Sequence, residues 1–465
     1  MKKTVSVLIL FVLVLSLIPI NAFASPYEDA YNKVCAGIEA METKIDIKSS
    51  RLNEAQLKTL VNDVLGNNPY FFYVDTKYKY SGYNGVIYSL IPQYTMTKAE
   101  VKNATADFDK RLNKIVALLP KGLDDAEKAL FFHDYLCLNF EYDRTYSVYD
   151  AYTMLKKGKG VCQAYSRLYD ALLEKVNIDS LSVQSDSMNH AWNAVKIGGK
   201  YYHVDVTWDD PIPDEKGLVL HEYFLLSDKG IQSRKHHDYS GAPACSDKKY
   251  DYMYWRDYRK AFGFADGKIF LLNGRDIEQT DISNGKIRTV RKIEDTWKVW
   301  GKTSYYEECF SGFGSYKDHL LFNTPTAIFA LDPETGKCQE ILDLSDKQGY
   351  VYGFYNIGGK GYYAIAANPN TDKTYQSFDI VIKGNEEPEE PEKPVDPDKP
   401  LTGDINGDGK VTSADYTMCK RAVLGTYVLS EKQLIAADVD GNGKITVKDY
   451  ALLKRAVLGT FTLAA

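Results

Sequence analysis

The sequence predicts a multidomain α+β protein that ends in a small all-α module. Three observations predict it. Helical periodicity gives way to mixed helix and strand, and then, from about residue 245, to short strands set among turn residues. A proline-rich stretch separates residues 401–465 from the rest. Those last residues repeat themselves at an offset of 34. For 465 residues, a soft prior of ~150 per domain gives about three folded units.

Taken in order, Lys2 and Lys3 precede an apolar run from Val5 to Ile18, then Pro19 and Ala22-Phe23-Ala24. A short basic end, an apolar core and an A-x-A site read as a signal peptide over 1–24, cut after Ala24. The run is short for a membrane anchor, so a secreted chain with no membrane span is expected. Residues 25–120 read as mainly helical, with a strand-like patch at 70–74. Residues 121–240 mix helix and strand. Residues 245–383 carry short strands such as 268–272, 327–331 and 361–365, the pattern of a β-rich domain of the propeller or sandwich type.

Residues 384–400 hold Pro388, Pro391, Pro394, Pro397 and Pro400 among glutamates. One proline per three residues suits a stiff polyproline II spacer between separate bodies. A net charge of −6 gives no reason to expect nucleic acid. The 36 tyrosines are read as strand packing rather than as a sugar-contact surface. Seven cysteines are too few for a disulfide scaffold of this length, and the odd number predicts at least one free thiol.

Three segments carry catalytic residue types: Gly158-Lys-Gly-Val-Cys162, Asn189-His190-Ala-Trp192 and Tyr201-Tyr-His-Val-Asp205-Val-Thr-Trp208-Asp-Asp. Apolar residues recur at helical spacing from Val161 to Val176, so Cys162 falls at a helix N-terminus behind a glycine turn. The positive end of a helix stabilises an anion there, and its free N–H groups can cradle an oxyanion. The stretch from His190 to Trp208 reads as a hairpin closed at Gly198-Gly199. Pairing Ile197 with Lys200 sets Trp192 opposite Asp205 and His190 opposite Thr207, so His190 and Asp205 share a face as diagonal neighbours. In that register Asp205 orients His190, and His190 activates Cys162. His133, His203 and His221 fall outside this pattern, with His203 expected at the strand rim. The pair His236-His237 lacks a ligand partner at metal spacing and is discounted.

The C-terminal repeat pairs Asp404-Ile-Asn-Gly-Asp-Gly-Lys-Val-Thr-Ser-Ala-Asp415 with Asp438-Val-Asp-Gly-Asn-Gly-Lys-Ile-Thr-Val-Lys-Asp449. Each is a 12-residue EF-hand-like loop of oxygen donors. The first offers Asp404, Asn406, Asp408, the Lys410 carbonyl, Thr412 and Asp415. The second offers Asp438, Asp440, Asn442, the Lys444 carbonyl, Thr446 and Asp449. A hard cation is implied in each, hence two calcium ions.

The repeat closely resembles a type I dockerin of a cellulosome-type complex. The resemblance implies a cohesin on a scaffold protein as partner and a place on a cell-surface multienzyme complex. It also implies contacts from Ser413, Ala414, Lys420 and Arg421, with Val447, Lys448, Lys454 and Arg455 in the second copy. The segments around Cys162, His190 and Asp205 resemble the transglutaminase-like superfamily, over roughly 122–211. That resemblance implies a papain-like core, Cys162 as nucleophile, His190 as base and Asp205 as orienter. It implies acyl transfer on amide bonds of a protein or peptide without fixing the acceptor; hydrolysis is preferred to cross-linking, and no cofactor is expected. Two other readings compete: a binding module with a vestigial triad, and a glycoside hydrolase of the same complex.

Overall fold

The computed structural model describes residues 25–383, 401–407, 410–423, 428–457 and 463. The expected signal peptide, the expected spacer at 384–400 and Asp408 lie outside the described residues, as do the side chains of Ser413, Ala414 and Val447. The chain divides into two compact units, Met1–Val61 with Lys77–Gln93, and Asn62–Thr76 with Tyr94–Ala465.

The first unit contains the helix Pro26–Ala40, capped by the Ser25 side chain, and a three-stranded sheet with Val86–Ile91 between Ile45–Asp46 and Lys79–Tyr83. The helices Pro26–Ala40, Glu54–Gly66 and Lys98–Val116 dominate residues 25–120, and this small sheet is an addition to the expected helices. The segment 70–74 is a turn with a single bridge from Val74 to Tyr94, because its aromatics are used for packing. Tyr70 and Phe72 meet Phe108 edge-on at 5.2 and 5.6 Å.

In the second unit, capping boxes start the helices Lys98–Val116 (Thr97 with Glu100) and Asp125–Asn139 (Asp124 with Glu127). The helix Ala151–Lys157 ends at Gly158, whose φ of +73° is a left-handed cap. Two residues, Lys159–Gly160, then pair in parallel with Glu141–Tyr142 before the helix Cys162–Lys175 begins. A Cβ on Gly160 would lie 2.7 Å from the Ala164 Cβ and 2.8 Å from the Met154 sulfur, so the chain can enter that helix only with glycine there.

The helix Cys162–Lys175 is buried along Ala164, Tyr165, Leu168, Tyr169, Leu172 and Leu173. It packs on a sheet ordered Lys200–Val204, His190–Ile197, Ser180–Ser185, Tyr239–Ser240. The hairpin turn has φ of +57° and +81° at Gly198 and Gly199, and Ile197 pairs with Lys200, Val195 with Tyr202 and Asn193 with Val204. The expected register holds to that point. The strand then stops at Val204, and Asp205 becomes the cap of the helical turn Val206–Asp209.

Beyond residue 262 come three antiparallel meanders, two of four strands and one of three, each sheet in chain order. This is the construction of propeller blades. Phe270, Phe322 and Leu331 lie in one apolar cluster, and Leu321, Ile328 and Phe354 in another. None of the seven cysteines is in a disulfide.

The C-terminal repeat gives the helices Ser413–Val423 and Val447–Val457, and a further helix, Glu431–Ala437, enters the second loop. The repeat-equivalent Tyr416 and Tyr450 stack with ring centres 4.9 Å apart, and the equivalent Cys419 and Leu453 are both fully buried. No described helix is long and apolar enough to cross a membrane.

Candidate functional site

Cys162 is the first residue of its helix and only 7% exposed. His190 opens its strand, and its Nε2 donates to Asp205 Oδ2 at 2.6 Å. A carboxylate only accepts, so the proton sits on Nε2 and Nδ1 is left for Cys162. The Cys162 sulfur is near enough to that ring to help raise its pKa. Burial works against an imidazolium here, but the charge and hydrogen bond of Asp205, helped by the sulfur, raise His190 to about 10. Burial would likewise raise Asp205, yet His190 and His236 bring it well below the usual carboxylate range.

Trp192 stacks on one side of the His190 ring at 5.6 Å and Trp208 covers it at 5.5 Å, so the imidazole cannot tilt freely. Asp205 Oδ1 accepts from the Trp208 backbone N–H at 3.2 Å. The approach of His190 to Asp205 thus arises from a strand end and a helix cap rather than from the long hairpin expected.

His203 is buried instead of standing at the rim. Its Nδ1 accepts from Trp192 Nε1 at 3.0 Å and its Nε2 donates to Asp228 at 3.1 Å, which fixes the tryptophan that stacks on His190. His133 and His221 belong to a second buried network. His133 donates to Asp134 at 2.9 Å and to Asp209 at 3.1 Å, and His221 Nε2 donates to Asp134 at 3.0 Å. Burial opposes the charge on His133, but the two carboxylates raise it to about 9. Asp209 also accepts from the Tyr223 backbone N–H at 3.0 Å.

Arg256 runs beneath the segment carrying Tyr223. Its guanidinium donates to the carbonyls of His221 (2.8 Å), Phe224 (2.6 Å) and Tyr250 (2.5 Å). Asp210 is held differently. It accepts from Tyr165, its Oδ1 is buried with no partner, and burial, reinforced by Asp214, raises it to about 8.

Sequence reasoning missed His236, which is fully buried with Nε2 2.8 Å from Asp205 Oδ2. It reaches the site from a loop 31 residues beyond Asp205, where no periodicity points to it. Its neighbour His237 is exposed beside Asp238.

In the C-terminal loops, Asp415 is fully buried and accepts from the backbone N–H groups of Asn406 (3.0 Å) and Thr412 (2.8 Å). Asp449 repeats this with Asp440 (3.2 Å) and Thr446 (2.8 Å). Asp404 accepts from Gly407 at 2.9 Å, and Asp438 from Asn442 at 3.0 Å and Gly443 at 2.7 Å. Carboxylate oxygens of Asp438, Asp440 and Asp449 lie within 4.8 Å of one another, and Asp440 Oδ2 is buried without a hydrogen bond. An all-oxygen set of this charge fits a hard cation. The carbonyls of Lys410 and Lys444 lie on the same two loops.

Of the expected partner-binding residues, Lys420 and Arg421 lie on the last turn of the first repeat's helix, and Lys454 on that of the second. Two others meet this chain itself. Lys448 donates to Asn177 at 2.6 Å, and Arg455 pairs with Glu174 at 3.0 Å while lying 4.3 Å over the Tyr70 ring.

Comparison with known proteins gives similarities in two segments. A curated relative, kyphoscoliosis peptidase of Mus musculus, is 24% identical over 150 residues, 27% of this chain. The chain spans only 23% of that relative's length. A solved cohesin–dockerin complex from Acetivibrio cellulolyticus is 40% identical over 14% of this chain and 89% of that one, at a TM-score of 0.13. A solved TGase is 15% identical over 34% of this chain and 48% of that one, at a TM-score of 0.21. Family models agree with this division: residues 115–206 match the transglutaminase-like superfamily, and residues 402–458 match the dockerin type I domain.

Proposed function

We propose that the chain is a secreted thiol enzyme carried on a scaffold. In this reading Cys162 attacks the carbonyl carbon of an amide, forming the C–S bond of a thioester, while His190 passes its proton to the departing amine. Asp205 holds the His190 tautomer and offsets the imidazolium charge. The N–H groups at the start of the helix Cys162–Lys175 stabilise the oxyanion. Water then resolves the thioester, with His190 taking its proton, which makes the enzyme a peptidase or amidase acting on protein or peptide. An amine acceptor would make it a cross-linker.

The observation that carries this reading is the single line from fully buried Asp205, through His190 at 2.6 Å, to a cysteine at a helix N-terminus. The test is thiol-directed labelling of the full chain near neutral pH. Selective, rapid modification of Cys162, lost in Cys162→Ala, is expected. Labelling no faster at Cys162 than at the buried Cys137 or Cys245 would reject the enzyme reading.

The C-terminal module binds two calcium ions, one per loop, and in that form docks to a cohesin. This places the enzyme outside the cell, on a surface-associated multienzyme complex. The cohesin contacts are Ser413, Ala414, Lys420 and Arg421 of the first copy and Val447, Lys448, Lys454 and Arg455 of the second, of which Lys448 and Arg455 also meet Asn177 and Glu174.

A further inference from the structure

Asp205 receives two imidazoles on one oxygen. His190 Nε2 lies 2.6 Å from Oδ2, and His236 Nε2 lies 2.8 Å from the same atom. Oδ1 is taken by the Trp208 backbone N–H at 3.2 Å. The carboxylate is therefore pinned at both oxygens, and His236 stops it from swinging about its bond to Trp208.

The surroundings of His236 are almost wholly aromatic. Its ring centre lies 4.4 Å from that of Trp208, 4.8 Å from Trp192 and 5.3 Å from Tyr223. Such a box would accept an apolar side chain, and a buried imidazole is costly unless it is hydrogen-bonded. The backbone is also bent to deliver this residue: Lys235, just before it, has φ of +71°, a left-handed conformation that a lysine adopts at a cost. A metal does not account for the arrangement. The ligand atoms of His190, Asp205 and His236 converge, but separations of 2.6 and 2.8 Å to one shared oxygen are hydrogen-bond lengths.

We propose that His236 is a positioning residue for the acyl-transfer site, its Nε2–H fixing the Asp205 carboxylate so that His190 presents Nδ1 to Cys162. This rests on the thiol-enzyme reading given above. The titratable groups facing His236 are Asp205, His190, His203 and Tyr223, and its Nδ1 lies 3.4 Å from the Arg234 carbonyl.

The test compares His236→Gln, which keeps an N–H donor, with His236→Met, which matches it in size but donates nothing. Each full-length variant is alkylated with iodoacetamide from about pH 5 to 9, with circular dichroism to establish that it folds. The Met variant is expected to lose ~10–100-fold in Cys162 alkylation rate at neutral pH, with its profile moving towards that of an unassisted thiol. The Gln variant is expected to stay within ~3-fold of wild type. Packing alone would favour Met over Gln, so a Met variant equal to wild type, or a folded Gln variant as slow as Met, overturns the proposal. If the Met variant does not fold, Gln alone decides, because a folded Gln variant outside that range refutes the donor role. A wild-type Cys162 no more reactive than the other thiols defeats the parent reading instead, a result distinct from either variant outcome.

Discussion

The thiol site and the paired C-terminal loops are both built on buried aspartates, but they neutralise them differently. Asp205 and Asp209 meet histidine N–H groups and backbone donors of the same fold, so each carboxylate is compensated by residues folding brings together. Asp438, Asp440 and Asp449 gather carboxylates beside one another, and Asp440 Oδ2 has no hydrogen bond, only the Lys448 ammonium at 3.5 Å. The first arrangement is complete in the polypeptide; the second is one that a hard cation would fit. Activity and docking should therefore fail independently.

The largest expected effect is at the nucleophile. Cys162→Ala and His190→Ala should each lower amide-bond turnover by ~10³-fold or more, and the double variant should be little worse than either, since the two act as one unit. Measured kcat/KM values for the four proteins would show the non-additivity. Asp205→Asn should cost less than either, because an amide still occupies the cap at Trp208 but carries no charge for His190. A pH profile of that variant should lose its alkaline limb near pH 10 towards lower pH, since Asp205 is what raises His190.

Chelation sharpens the comparison from the other side. Scanning calorimetry of the full chain should show one transition moving down on removing calcium, by about 4 kcal/mol per site at a thousandfold excess over Kd. The rate of Cys162 alkylation should not change. Asp404→Ala with Asp438→Ala should abolish calcium-dependent retention on an immobilised cohesin while leaving that rate intact. A chelator that also slowed Cys162 labelling would mean the two regions are coupled.

The last effect is on stability alone and concerns Asp210. Its carboxyl is raised to about 8 in the fold, against 3.8 ordinarily. The folded chain therefore holds a proton that the unfolded chain releases. Stability from this group is full below about pH 4 and is lost as pH rises through about 8. Asp210→Asn should remove the loss, making the variant more stable than wild type at pH 9 by on the order of 2–5 kcal/mol in urea titrations.

Much of this was legible in the sequence because local chemistry specified it. Gly198-Gly199 set the hairpin register, and the repeat set both loops with their helices. The sheet of Lys79–Tyr83 and Val86–Ile91 was missed although Asn84-Gly85, both with positive φ, gives the turn signal. The patch at 70–74 looked like a strand because aromatic composition favours strands, and tertiary packing overrode it. The end of the strand at Val204 was not legible, since Asp205 as a cap and Asp205 as a strand residue have the same spacing from His190. His236 and the His133–Asp209 network were invisible because their partners lie 31 and 76 residues away and no motif links them.

Arg256 has a consequence for where the chain can be cut. The match to the transglutaminase-like family model stops at residue 206, a tempting place to end a fragment. Arg256, however, gathers the carbonyls of 221–225, whose Tyr223 N–H holds Asp209, while Tyr258 and Phe262 secure His221 and Asp134. A fragment ending at 206 or 240 would strip these supports from the reactive centre. The shortest fragment that keeps this centre intact should extend to about 262, well past the end of the family-model match.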